Sequence, residues 1–187
     1  MAAAGCTYLE EPSYLLGNLE PSWPIITCVV VPSRGADRPG KAIEQMKEGG
    51  EYISWEGGLD PWFYRYAIYQ DGEYEIVATE EAFRERYAPI DSPEEALGYA
   101  LALTNFQAYY DLEYDLELEY FVDRLEDSHV EGVPGGFDVH LFYYQEFGCG
   151  PHPTSAVVIR VGQDGSLEQI SVEEVFKDPT DDTLCVD

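Results

Sequence analysis

Lysine is nearly missing from this chain. Three lysines and seven arginines stand against 37 aspartates and glutamates in 187 residues, a formal net charge of −27. A surface of that sign repels phosphate, so no direct binding to nucleic acid or to anionic lipid is expected. It favours basic proteins, cationic ligands and divalent ions. A second reading of the same excess is solubility, or life in high salt. Long apolar runs are also absent. The longest, Ile25 to Val31, suits a buried strand and falls far short of the roughly 20 residues that a membrane helix needs. No transmembrane span is therefore expected. None of the four cysteines forms a CxxC pair, which excludes a zinc ribbon or thioredoxin motif. GxSxG, HExxH, P-loop and dinucleotide glycine motifs are all missing, and with them any named enzyme chemistry or cofactor. Gly132 to Gly136 is glycine-rich but lacks the spacing and the following helix that phosphate binding requires. The DxDxDG loop of an EF-hand is absent too, so calcium affinity at any acidic stretch should be weak.

What is present is a hydrophobic content of 45% with 15 tyrosines, ample for a core in a chain of this length. One stretch dominates the pattern. From Phe106 to Asp123, even positions are apolar, and Asp111, Glu113, Asp115, Glu117 and Glu119 occupy successive odd positions. A period of two sends alternate side chains to opposite faces of a strand. No glycine or proline lies between Tyr99 and Gly132. The spacing therefore predicts one long, coiled or bulged strand, apolar beneath and acidic above, around which the core forms. Like charges in such a row repel one another, which stability alone does not favour. The five carboxylates are accordingly a candidate docking face for a basic protein or cationic ligand. The plainer alternative is a solvated outer face that prevents aggregation.

The remaining elements follow from local signals. Strands are expected at Ile25 to Val31, Glu51 to Glu56, Trp62 to Tyr69, Glu73 to Ala78, Phe137 to Phe147, Ser155 to Val161 and Leu167 to Ile170. Asp71-Gly72 and Asp164-Gly165 are type I′ hairpin signals. Helices are expected over Pro39 to Glu48, after Thr79 through Tyr87, after Ser92 through about Thr104, and from Ser171 to Lys177. The Ser92 helix, notched by Gly98, should pack on the apolar face of the long strand, and Asp127 to Gly136 reads as a loop. The fold class is thus α+β: a mainly antiparallel, strongly twisted sheet with two to four short helices largely on one face. Residues 1–23 read as an N-terminal extension or tether and 24–187 as a single domain. Segments from Gln70 and from Gln163 match at constant offset, which convergence explains better than duplication.

Four chemical readings remain. Ala3-Ala4-Gly5-Cys6 resembles the end of a bacterial lipobox, in which small residues precede a lipidated cysteine. It departs from that pattern in its Ala where Leu is usual and in lacking the basic and apolar regions of a signal peptide. The resemblance implies a lipid anchor at Cys6 and a cell-envelope or extracellular domain. In an oxidising compartment Cys149 and Cys185 are the natural disulfide, leaving Cys28 as a buried free thiol. Asp138, His140, Cys149 and His152 could be drawn as a polar cluster for metal or Cys–His chemistry, although a proline-flanked histidine such as His152 is more often plain surface. The function expected is a non-enzymatic binding domain of an exported or cell-envelope protein with an acidic face. The alternatives are an intracellular acidic inhibitor or immunity-type protein, cytoplasmic and reduced, and a small Cys/His-dependent or metal-dependent enzyme.

Overall fold

A computed structural model describes residues 5–32, 41–58 and 60–186, with backbone alone at 41, 42 and 45. Twelve strands and three α-helices follow one another in the described residues. They are β1 (Tyr8–Glu10), β2 (Ile25–Val30), α1 (Lys41–Gly49), β3 (Ser54–Glu56), β4 (Trp62–Gln70), β5 (Glu73–Val77), α2 (Glu80–Tyr87), α3 (Pro93–Leu103), β6 (Glu119–Tyr120), β7 (His129–Val133), β8 (Gly136–Tyr144), β9 (Gly148–Cys149), β10 (Thr154–Gly162), β11 (Leu167–Lys177) and β12 (Cys185–Val186). The fold is α+β and every strand pairing is antiparallel.

The first sheet is organised by β4. It pairs along one edge with β2, which pairs in turn with β1, and along the other edge with β3 and then β5. Asp71 and Gly72 both take positive φ, 54° and 92°, closing the β4–β5 turn as a type I′ hairpin requires. The second sheet has the order β6-β11-β10-β8-β7, and β9 with β12 forms a two-stranded ribbon. Residues expected as a tether are built into the domain: β1 pairs with β2, and Leu16 and Leu19 are buried. The expected helix start at Pro39 lies outside the described residues.

The helices begin where local chemistry places them. Thr79 Oγ1 accepts from the Ala82 N–H, and Ser92 Oγ accepts from the Glu95 N–H. Each cap satisfies a donor that the helix leaves unpaired, worth about 1 kcal/mol. Glu95 reaches back to the Asp91 N–H rather than to that of Ser92. Phe83 and Tyr87, four residues apart, are both buried. The notch in α3 serves a different neighbour from the one expected. A Cβ on Gly98 would lie 2.8 Å from the Leu15 carbonyl oxygen, so α3 sits directly against the 3-10 turn at Tyr14–Asn18. It also packs on β7, β8 and β10. Val139, Leu141, Val157, Ile159 and Val161 present the inner face of the second sheet to this core.

The long strand does not form. Of 106–123 only Glu119–Tyr120 is strand, joined by one bridge from Gln107 to Phe142. Around that bridge the segment runs beside β8, with Phe106 against Tyr143 at 5.9 Å on the core-facing side and Tyr109 stacked on Phe142 at 5.1 Å on the outer side. Leu116 is fully exposed. Among the described residues no strand pairs with the backbone of 108–118, and a straight row of five carboxylates is repulsive. Side chains cap the backbone instead: Asp127 takes the N–H groups of Asp111 and Leu112, and Tyr120 OH takes that of Asp115. Three further expectations change. Residues 171–177 continue β11 instead of forming a helix, because β-branched and aromatic residues there pair with β10 across a bulged ladder. Asp164-Gly165 belongs to a longer loop in which Gly165, with φ 76°, takes the positive angle and Asp164 does not. The expected loop from Asp127 contains β7, turned into β8 at Pro134-Gly135 with Gly135 at φ 85°.

Candidate functional site

The outer face of the second sheet gathers most of the chemistry. In β8, Val139 and Leu141 point to the core, which sends Asp138, His140 and Phe142 to the other side. The β7–β8 register sets His129 opposite His140 and Glu131 opposite Asp138. The two imidazole rings stack with centroids 4.0 Å apart and planes 13° from parallel. Glu131 stands within reach of both, 3.8 Å from His129 Nε2 and 4.0 Å from His140 Nε2. The donor atoms of these three residues all lie within 4.8 Å of one another.

Neighbouring groups settle the state of each member. Asp138 accepts from Arg160 Nε and Nη2, both at 2.7 Å. This bidentate pair holds the Asp138 carboxyl below the usual carboxylate value. Its charge is therefore committed, whereas Glu131 stands against the two imidazoles. His129 Nδ1 lies 2.7 Å from the Asp127 carbonyl. A carbonyl can only accept, so that nitrogen carries a proton and Nε2 is the ring atom that faces Glu131. Burial, followed by the adjacent His129, lowers the His140 pKa from its ordinary value, against the weaker opposite pull of Glu131, Asp138 and Glu126. A cavity of about 200 Å³ opens beside the pair, lined in part by Leu125, Glu126, Val158 and Glu173. Two imidazoles and one carboxylate beside a cavity form a donor set suited to a divalent transition ion.

The same face carries the acidic loop. Its neck is closed by Tyr109 N–H to Ser128 Oγ, Ser128 N–H to the Tyr109 carbonyl, and the Asp127 carboxylate bonds to Asp111 and Leu112. Asp111, Glu113, Asp115, Glu117 and Glu119 are all exposed, but they do not form the expected straight row. Asp111 takes φ 57°, and Asp115 folds back to accept from the Glu117 N–H. Glu119 lies 3.4 Å from Lys177 Nζ. Tyr120 anchors the far end between Tyr114 and Phe176.

The four-residue polar cluster is not assembled. Cys149 is bonded to Cys185, so the thiol that a Cys–His site needs is taken up. His152 is buried, not surface, with Nδ1 2.7 Å from the Gln145 carbonyl. Of that cluster His140 and Asp138 share a face, and their companions are His129, Glu131 and Arg160. Cys6 is bonded to Cys28. A sulfur in that bond cannot also carry a thioether lipid, so the anchor expected at Cys6 does not fit this structure, and Cys28 is not free. Sequence reasoning missed His129 and Glu131. The signal was available: His129-x-Glu131 and Asp138-x-His140 mirror each other about Pro134-Gly135, a proline–glycine turn signal. Among the described residues, no helix is long and apolar enough to cross a membrane. No family model matches this chain, and no curated protein or solved structure is significantly similar to it.

Proposed function

We propose that this protein is an exported, non-enzymatic binding domain that offers its acidic loop to a basic partner. The observation that carries the reading is the build of residues 104–128. The loop is held at its neck by four hydrogen bonds and at its base by stacked aromatics, yet it leaves five carboxylates and Leu116 in solvent. Loops of this length in a compact domain are usually either disordered or functional, and a rigid footing with an exposed rim suits recognition. Export is supported by the pairing of all four cysteines, because disulfides persist mainly in oxidising compartments. An intracellular inhibitor could use the same loop but would have to keep those cysteines reduced.

The test is capture of basic proteins on the immobilised domain at low and at high salt. Asp115→Lys with Glu117→Lys is expected to reduce capture at least about tenfold, and added salt to weaken the wild-type interaction. Glu10→Lys with Glu11→Lys changes the net charge equally but lies at the end of β1, and should leave most of the capture intact. Equal losses in the two double variants would mean that capture reports overall charge alone, and the docking reading would fail.

A further inference from the structure

We propose that the β7–β8 hairpin binds one divalent transition-metal ion of the zinc class through His129, Glu131 and His140, with the remaining coordination positions open. The hairpin brings three donors to one point on the outer sheet face. A tetrahedral zinc ion with ligands at about 2.0–2.2 Å places donor atoms about 3.3 Å apart. The present separations of 3.8 and 4.0 Å close to that value by less than 1 Å. Glu131 is the member freest to move, since its side chain is 63% exposed while those of His129 and His140 are about one-third exposed. The strand register sets the two histidines side by side, and because their rings stack nearly parallel, one ring turns about its side-chain bonds to aim its nitrogen at the shared ion.

The surroundings favour this donor set over a simple ion pair. The Asp127 carbonyl holds the proton of His129 on Nδ1, the outer-shell arrangement that orients a ligating histidine. Arg160 withdraws Asp138, and Glu131 stands within 4.0 Å of a ring nitrogen of both histidines. Imidazole ligands select zinc, nickel or copper over calcium and magnesium, which take oxygen. Three protein ligands leave a position for water or for a donor supplied from outside, and the adjoining cavity gives access to it. Asp127 also closes the neck of the acidic loop, so an ion here would be coupled to the foot of that loop. The site stands on the hairpin alone and does not depend on the loop having a basic partner.

Calorimetry with Zn²⁺ at neutral pH, with millimolar Mg²⁺ present to occupy scattered carboxylates, tests the site in the intact chain. One equivalent is expected to bind. His129→Asn and His140→Asn should each weaken binding by more than the roughly 10–100-fold that loss of an outer-shell partner costs, and Glu131→Gln at least about tenfold. Thermal midpoints in chelator check that the variants are folded. Independently of any variant, the ring resonances of His129 and His140 in the wild-type protein should shift together on addition of one equivalent of Zn²⁺, while those of His152 stay fixed. Wild-type and His129→Asn/His140→Asn protein binding Zn²⁺ equally well, or His129 and His140 resonances unmoved by Zn²⁺, would overturn the proposal.

Discussion

Reduction of the two disulfides is expected to lower the free energy of unfolding by about 7 kcal/mol, the largest single effect available in this protein. The closed segments span sequence separations of 22 and 36 residues. In the chain-entropy picture they restrict the unfolded chain by about 3.4 and about 3.8 kcal/mol respectively. Native domains are typically stable by about 5–15 kcal/mol, so reduction removes half of that or more. The bridges hold peripheral segments. Cys6–Cys28 secures the lead into β1, where the Val31 N–H is taken by Thr7 Oγ1, and Cys149–Cys185 fastens the C-terminal strand β12 to β9 beside the buried His152. Urea unfolding with and without a phosphine reductant measures the sum. Cys6→Ser/Cys28→Ser and Cys149→Ser/Cys185→Ser should divide it nearly evenly. Curves that superpose in oxidised and reduced protein would show that the bridges do not stabilise the fold.

Phe83→Ala is expected to cost about 4 kcal/mol in the oxidised protein, the range for deleting a buried aromatic ring. Phe83 is completely buried and touches three rings, those of Tyr87 at 4.6 Å, Tyr66 at 5.4 Å and Tyr99 at 5.6 Å. These belong to α2, β4 and α3, so one side chain joins the first sheet to both helices. Its neighbours are not free to collapse into the space. Tyr66 OH donates to the Ala102 carbonyl and Tyr99 OH donates to that of Gly165. Burial raises the pKa of Tyr99 to about 12, so both hydroxyls remain donors across the ordinary pH range. Phe83→Leu, which fills part of the site, should cost less than half as much. Thermal or urea unfolding of the two variants decides the matter, and a loss below about 1 kcal/mol for Phe83→Ala would mean that the cluster repacks without difficulty.

Local chemistry was legible in the sequence and long-range pairing was not. Thr79 and Ser92 cap their helices through bonds to residues three positions away, and Asp71-Gly72 turns the chain within two residues. Such interactions are decided by neighbours that the sequence displays. The Phe106 to Asp123 stretch misled because alternation reports which side chains meet an apolar surface, whereas a strand also needs a partner for its backbone. Here only the first even residues, Phe106 and Ala108, pack on the core, while Tyr110, Tyr114 and Leu116 are exposed, and the partners of the Asp111 and Leu112 backbone are oxygens of Asp127. Ser171 and Glu174 carry a capping-box pattern, but Val172, Val175 and Phe176 favour the ladder with β10, and tertiary pairing prevailed over the local signal.

The candidate site was half visible for the same reason. His140 and Asp138 stood out as polar residues on an otherwise aromatic strand. Their true companions lie across a turn, and reading Asp127 to Gly136 as a loop hid His129 and Glu131. Placing the turn at Pro134-Gly135 brings all four residues into register. Cys6 and Cys28 illustrate a limit that no local rule overcomes, since only the pairing of β1 with β2 brings them together.

The decisive measurement is disulfide mapping by mass spectrometry on protein taken from its native source with free thiols trapped at lysis. Cross-linked peptides joining Cys6 to Cys28 and Cys149 to Cys185, with no trapped thiol, are the expected result for an exported domain. Four trapped, unpaired cysteines would contradict both the bridges and the compartment inferred from them.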